Sequence, residues 1–286
     1  MDLDAARRWL KAIPGVRRFA LSASGQALRH RVALHFEDRE GFTFTQFFRS
    51  PSQLEALAGP VLEHVLAHGH AGPLRIVIIG CSSGAEPYTL SSILLTQWPC
   101  LTVTIDAYDI ATDTLAAARA AAYPVATVLG NPLIKPIFID ATFDRRGDHL
   151  VVKPEVAQRV RFHHADALDP AIREQIAPAD LVFAQNIMCN LRRPAARRLF
   201  DNIVALLKPR SALFVDGMDL DMRTRRTRAH RLVPLTFALR RIHDEARLVR
   251  GERYPWFASG LEPFSAQRRD RERRYATIFL RGGATD

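Results

Sequence analysis

Cysteine is scarce: Cys81, Cys100 and Cys189 are the three in 286 residues, odd in number and far apart. That excludes a disulfide framework and a cysteine-based zinc site, and it suits a reducing compartment. Lysine is almost as rare, 4 against 36 arginines, so the net charge of +10 reflects an arginine-biased composition. The densest basic stretch, Arg223 to Arg231, has no Phe, Tyr or Trp between its charges. Nucleic-acid enzymes usually interleave basic residues with stacking aromatics, so the pattern argues against a nucleic-acid partner. No apolar run approaches the roughly 20 residues that cross a bilayer, and the N-terminus has no signal-peptide apolar core. No membrane span and a cytoplasmic location are therefore expected. His64, His68 and His70 have helix-face spacing, but no nearby Cys, Asp or further His completes a set, and no metal is expected.

What is present is an α/β pattern with ample apolar residues, 48% of the chain, enough for one main domain with additions. Residues 75 to 90 read R-I-V-I-I-G-C-S-S-G-A-E-P-Y-T-L. The β-branched run is that of a buried parallel strand. Gly80 and Gly84 allow a tight turn and close approach to a ligand, with Cys81 and Ser82 between them. Pro87 fits a first helical turn, and Leu90, Ile93, Leu94 and Gln97 continue at helical spacing. Glu86 in that first turn is unsuited to a phosphate site. It suits a cofactor carrying an ammonium group, such as S-adenosylmethionine.

Gly80 to Gly84 also satisfies G-x-S-x-G, the nucleophile elbow of α/β-hydrolases. Asp216 with His230 or His243 could nominally complete a triad, yet no H-G-G-G-type stretch precedes the loop. The next strand, Leu101 to Tyr108, ends in Asp109, 29 residues after Gly80. That spacing places a carboxylate for ribose hydroxyls. The alternative is that Asp109 caps the alanine-rich helix that follows.

Residues 1 to 71 are expected to form a helical cap, with a break at Pro14-Gly15 and a second helix over 52–67. Residues 72 to 286 form the nucleotide-binding domain. It is interrupted by an inserted subdomain at about 125–157, where Pro132, Pro136 and Gly147 break the rhythm, and it carries an added segment at about 220–274. Strands are expected at 160–163, 179–184, 211–215 and 275–280, and helices at 193–207 and 222–247, the latter broken at Pro234.

Four segments together, T-F-T-Q-F-F-R at 43–49, G-C-S-S-G-A-E-P-Y-T-L at 80–90, A-Y-D-I-A at 107–111 and V-F-A-Q-N-I-M at 182–188, stand in the order and spacing of the CheR chemotaxis-receptor methyltransferases. The chain resembles a divergent member of that family. The resemblance implies a Rossmann-like class I methyltransferase sheet, mostly parallel with an antiparallel last strand, a helical N-terminal region and a small inserted β-subdomain. It implies S-adenosylmethionine as cofactor. It places Thr43, Thr45 and Arg49 beside the cofactor, Glu86 at its methionine end, Asp109 and the following Ile110 at the ribose, Asp166-Ala167 at adenine, and Gln185-Asn186 at the family's Arg-Asn pair. Arg49 is then the candidate to hold an acceptor carboxylate.

Departures bear on the acceptor. Asn190 occupies the position of a tyrosine that lines the methyl-transfer site, and Ala85 replaces the first glutamate of E-E-P-Y. The added segment brings Tyr254-Pro255-Trp256-Phe257 and G-L-E-P-F, which either fold over the cleft or seat the extension on the core. These changes point away from a chemotaxis receptor and toward a small-molecule or peptide acceptor. Two other expectations stay open: attack on the aminobutyl carbon with release of methylthioadenosine, and a non-catalytic cofactor-binding module. If the acceptor is an amine or hydroxyl, Asp216, His164 and His243 are the candidate bases.

Overall fold

The computed structural model describes residues 45–67, 70, 72–250 and 260–283, with isolated positions 15, 19, 22, 24, 25, 28 and 32 before them. Thr43, the aromatic run Tyr254 to Phe257 and the helix break at Pro14 lie outside the described residues.

A seven-stranded sheet forms the frame. Its strands are β1 (Leu74–Ile79), β2 (Val103–Asp109), β6 (Val160–His164), β7 (Ala179–Gln185), β8 (Leu207–Asp216), β9 (Val233–Pro234) and β10 (Ile278–Arg281), in the order β6-β2-β1-β7-β8-β10-β9. β6, β2, β1, β7 and β8 pair in parallel, and β10 is antiparallel to both β8 and β9. From β1 the chain builds outward to β2 and β6, then returns to lay β7 on the other side of β1. The carboxyl ends of β1 and β7 therefore diverge into a crevice, the usual ligand position in open α/β sheets. A second sheet, β3 (Ala122–Pro124), β5 (His149–Val152) and β4 (Phe143–Arg146), is antiparallel in the order β3-β5-β4 and sits in the connection between β2 and β6.

Alternation along the strands divides the core into two layers. Ile76, Ile78, Leu181, Phe183, Ala212 and Phe214 face one cluster, and Val77, Val182, Leu213 and Val215 face the other. Each such buried side chain is worth about 1.5–3 kcal/mol relative to exposure. Helix α1 (Pro51–Ala56) and helix α2 (Ala85–Gln97) lie on the first face; α3 (Thr112–Ala120) follows β2, and α4 (Arg193–Ala205) covers the second face. α2 is buried nearly all round because two short helices of the insert, Pro136–Thr142 and Pro154–Ala157, cover its far side. Ser91 Oγ donates to Val156 O at 2.7 Å, and Ser92 pairs with Thr142 at 2.7 Å, so its polar residues are satisfied within the contact.

Several elements differ from expectation. The helix read over 52–67 is kinked: a wide turn, Leu57–Val61, holding Gly59 and Pro60, separates α1 from a short helix at Leu62–Leu66, since Pro60 has no N–H to continue the ladder. The segment read as one helix over 222–247 is α5 (Leu220–Ala229), edge strand β9 and α6 (Leu239–Arg250). β8 starts at Leu207 rather than at 211, and Tyr275 ends a short helix at Arg271–Tyr275, before β10. Among the described residues no helix is long and apolar enough to cross a membrane, and no cluster of three metal-ligating side chains occurs.

Candidate functional site

The loop after β1 is shaped by backbone constraint. Gly80 has φ of 77°, and a Cβ there would fall 2.2 Å from Ile187 Cγ2, so a side chain is excluded both by conformation and by space. The N–H groups of Gly80 and Cys81 both donate to Tyr108 O, at 2.8 and 3.1 Å. This ties the loop to the end of β2. Asp109 then accepts from Ser82 N at 2.7 Å through one oxygen and from Ala111 N at 2.9 Å through the other. The N-cap residue of α3 is Ala111, with no side-chain cap bond. Asp109 thus braces the loop and keeps further lone pairs for a ligand.

Two cavities meet at Gly80 and Gln185. One, about 790 Å³, is lined by Ser82, Asp109, Ile110, Asp166, Ala167, Asn186 and Asn190, among others. Asp166 is itself fixed by accepting from Leu168 N at 2.9 Å. The other, about 550 Å³, is lined by Thr45, Gln46, Arg49, Glu86, Thr89 and Phe214, among others. A smaller pocket continues past Arg49 and Gln185 to Asp216, Ile242 and Ala246. All candidate site residues within the described part, except Cys81, therefore line one connected trough. Cys81 lies beneath it, where burial pushes its thiol well above the usual range.

Burial also pushes the Glu86 carboxyl up, to about 7, with the Arg49 guanidinium partly offsetting the shift. A cation placed against Glu86 would restore its charge. Asn186, at φ of 61°, has both side-chain amide atoms buried without a partner among the described residues, and it lines the larger cavity. Leaving such groups unpaired costs roughly 1–3 kcal/mol each. The trough therefore suits a polar ligand, with Asp109 lining one cavity and Glu86 the other.

The segment bearing Arg49 is seated by contacts far away in sequence. Phe47 packs edge-on against Tyr123 and Phe143, and Phe48 against Phe138. Asn131 Nδ2 donates to the carbonyls of Phe47 and Phe48 at 2.8 and 3.1 Å. Glu245 of α6 accepts from Ser50 Oγ, Ser52 N and Ser52 Oγ at 2.9, 3.0 and 2.6 Å. Sequence reasoning missed Asn131, Glu245 and Gln46. Asn131 stands in an Asn-Pro pair that reads only as a turn, and nothing local marks the other two.

The histidines needed for a hydrolase triad are engaged elsewhere. His230 pairs with Asp201 at 2.9 Å, and His243 Nε2 meets Glu262 O at 2.8 Å with its ring against Tyr275. Of the candidate bases, His164 is exposed on an edge strand, and Asp216 is paired with Arg223 at 3.4 Å.

A sheet walked in this order, mostly parallel with an antiparallel strand beside the edge and a crevice at the carboxyl ends of β1 and β7, is that of a Rossmann-like class I methyltransferase. The profile of the family described as CheR methyltransferase, SAM binding domain, matches residues 43–232, and the chain belongs to that family; its cofactor is S-adenosylmethionine. Similar curated proteins include the probable biofilm formation methyltransferase WspC of Pseudomonas aeruginosa, 28% identical over 223 residues, which are 78% of this chain and 51% of that protein. Chemotaxis protein methyltransferase 2 of the same organism is 32% identical over 174 residues, 59% of this chain and 60% of the relative. Chemotaxis protein methyltransferase 2 of Vibrio cholerae is 29% identical over 175 residues, 60% of each. The chain thus spans about half to three fifths of the length of these relatives.

These relatives correct one expectation. In the sequence, the departures at Asn190 and Ala85 point away from a chemotaxis receptor, but the similar proteins carry chemotaxis and biofilm names. The physical reason is positional. Asn190 lines the cavity that holds Asp109, and Arg49 lines the other, so a change at position 190 alters the wall of the first and leaves the Arg49 cavity as it is.

Proposed function

We propose that this chain transfers the methyl group of S-adenosylmethionine to a carboxylate side chain of a protein acceptor, a chemotaxis-type receptor being the class that the relatives' names favour. The observation that carries the reading is the position of Arg49, which lines both the cavity containing Glu86 and the pocket leading out past Ile242 and Ala246. The bound cofactor supplies an electrophilic methyl on a sulfonium. Arg49 is placed to hold an incoming carboxylate through paired charge-assisted hydrogen bonds. An ionised carboxylate needs alignment and no general base, which agrees with His243 being hydrogen-bonded to Glu262 O and held below its usual range by burial. Phe48, Phe214 and Ile242 give the pocket apolar walls that limit water at the reacting atoms.

The test is incubation with methyl-labelled S-adenosylmethionine and a receptor cytoplasmic domain. Label released from the acceptor as methanol in alkali, with S-adenosylhomocysteine as co-product, is the expected result. Alkali-stable label would move the acceptor to nitrogen, and methylthioadenosine as product would replace methyl transfer by alkyl transfer. Arg49→Ala should cut turnover by about 100-fold or more through lost alignment, with S-adenosylhomocysteine affinity retained.

A further inference from the structure

We infer that Gln46 is a cofactor-binding residue, its side-chain carbonyl accepting a hydrogen bond from the ammonium of S-adenosylmethionine alongside Glu86. The inference rests on the cofactor assignment and is independent of the acceptor. Gln46 Oε1 is buried and has no hydrogen-bond partner among the described residues, and the residue lines the same cavity as Glu86, Thr45 and Arg49. Its backbone cannot shift to relieve the orphaned oxygen. Phe47 beside it is 3% exposed and wedged between Tyr123 and Phe143, with its carbonyl held by Asn131. A buried acceptor left unpaired is destabilising, and native structures leave few of them. A donor on the ligand resolves it.

The identity of that donor follows from how the cofactor must lie. Asp109 takes the ribose in the cavity on the far side of Gly80, so the part reaching the wall of Thr45, Gln46 and Glu86 is the amino-acid end. That end offers an ammonium with three N–H donors and a carboxylate with none. Glu86 is an acceptor when ionised and meets one or two of the donors. Gln46 Oε1, also only an acceptor, matches a remaining ammonium N–H and repels the carboxylate. Two acceptors, one charged and one neutral, thereby fix the rotation of the ammonium and leave the carboxylate to turn toward the donors of the cavity.

The test is calorimetric titration of wild type, Gln46→Leu and Gln46→Met with two ligands, S-adenosylhomocysteine and 5′-methylthioadenosine, the second lacking the amino-acid end. Both variants should bind S-adenosylhomocysteine about tenfold more weakly, the loss expected for one hydrogen bond to a charged group. Their affinity for methylthioadenosine should be unchanged, and their melting temperatures without ligand should equal or exceed that of wild type, because the orphaned oxygen is gone. Equal weakening toward both ligands, or a lowered melting temperature without ligand, would assign Gln46 a structural role and overturn the inference, as would undiminished S-adenosylhomocysteine affinity. Wild type binding neither ligand would instead sink the cofactor assignment.

Discussion

Asp109 and Glu86 line the two cavities of the trough, and a cofactor role for each has a measurable signature. Asp109 accepts from Ser82 N and Ala111 N while facing the cavity. Asp109→Ala should weaken S-adenosylmethionine binding by about 1–3 kcal/mol, since it removes the ligand's partner and orphans the loop N–H; calorimetry reads this directly. Glu86 is held at about 7, chiefly by burial. In the free protein it is largely protonated below that pH, whereas an ammonium partner favours the ionised form. Affinity for S-adenosylhomocysteine should therefore be full above pH 7 and fall toward about tenfold per pH unit below it, with proton release on binding. The stability of the free protein should follow the opposite trend. Because the folded value lies above the unfolded one, Glu86 contributes stability below the ordinary carboxylate range that is lost as pH rises through 7. A pH-independent affinity between 6 and 8 would show that Glu86 does not meet the ammonium.

Elements carry the next level of constraint. The segment Thr45 to Arg49 has little regular structure of its own, and Phe48 sits at φ of 52°, a conformation that a bulky residue adopts only when its surroundings compel it. The compulsion comes from the insert, through Asn131 in a loop and the rings of Tyr123, Phe138 and Phe143, and from α6 through Glu245. Glu245→Ala removes three hydrogen bonds at the start of α1, directly after Arg49. It should lower unfolding stability by about 1–3 kcal/mol and depress turnover more than S-adenosylhomocysteine affinity, as measured by denaturant titration and calorimetry of the same preparation. Much at this level was legible in the chain. β1, α2 and β2 follow from a β-branched run, helical spacing and glycine placement. The segment at 222–247 was not: Val233–Pro234 is too short to register as a strand, and it exists only because β10 offers it an edge to pair with.

For the whole molecule, the sheet order sets where everything converges. Gly80 ends β1 and Gln185 ends β7, and the two are neighbours because the chain reverses its direction of winding between them. That reversal creates the crevice, and the seven strands close it from below. Residues 220–234, read in the sequence as part of an addition, supply α5 and the sheet's edge strand, while α6 beyond them forms a wall of the pocket next to Arg49. The arginine excess is partly structural in the same way: Arg223 is fully buried and donates to Arg274 O at 2.9 Å, and Arg274 bridges Glu262 and Asp221.

The sequence by itself determined the cofactor class, because the glycine loop, the acid at the end of the second strand and the first-turn glutamate are local features whose spacing is set by single strands and helices. Only the tertiary structure decided which groups complete the site. Asn131, Glu245 and Gln46 act through partners 83 or more residues away or through burial, and no local spacing encodes either. It also decided that Asn190 and Arg49 occupy different cavities, a matter of which strand ends lie side by side, and hence that the missing tyrosine says little about the acceptor.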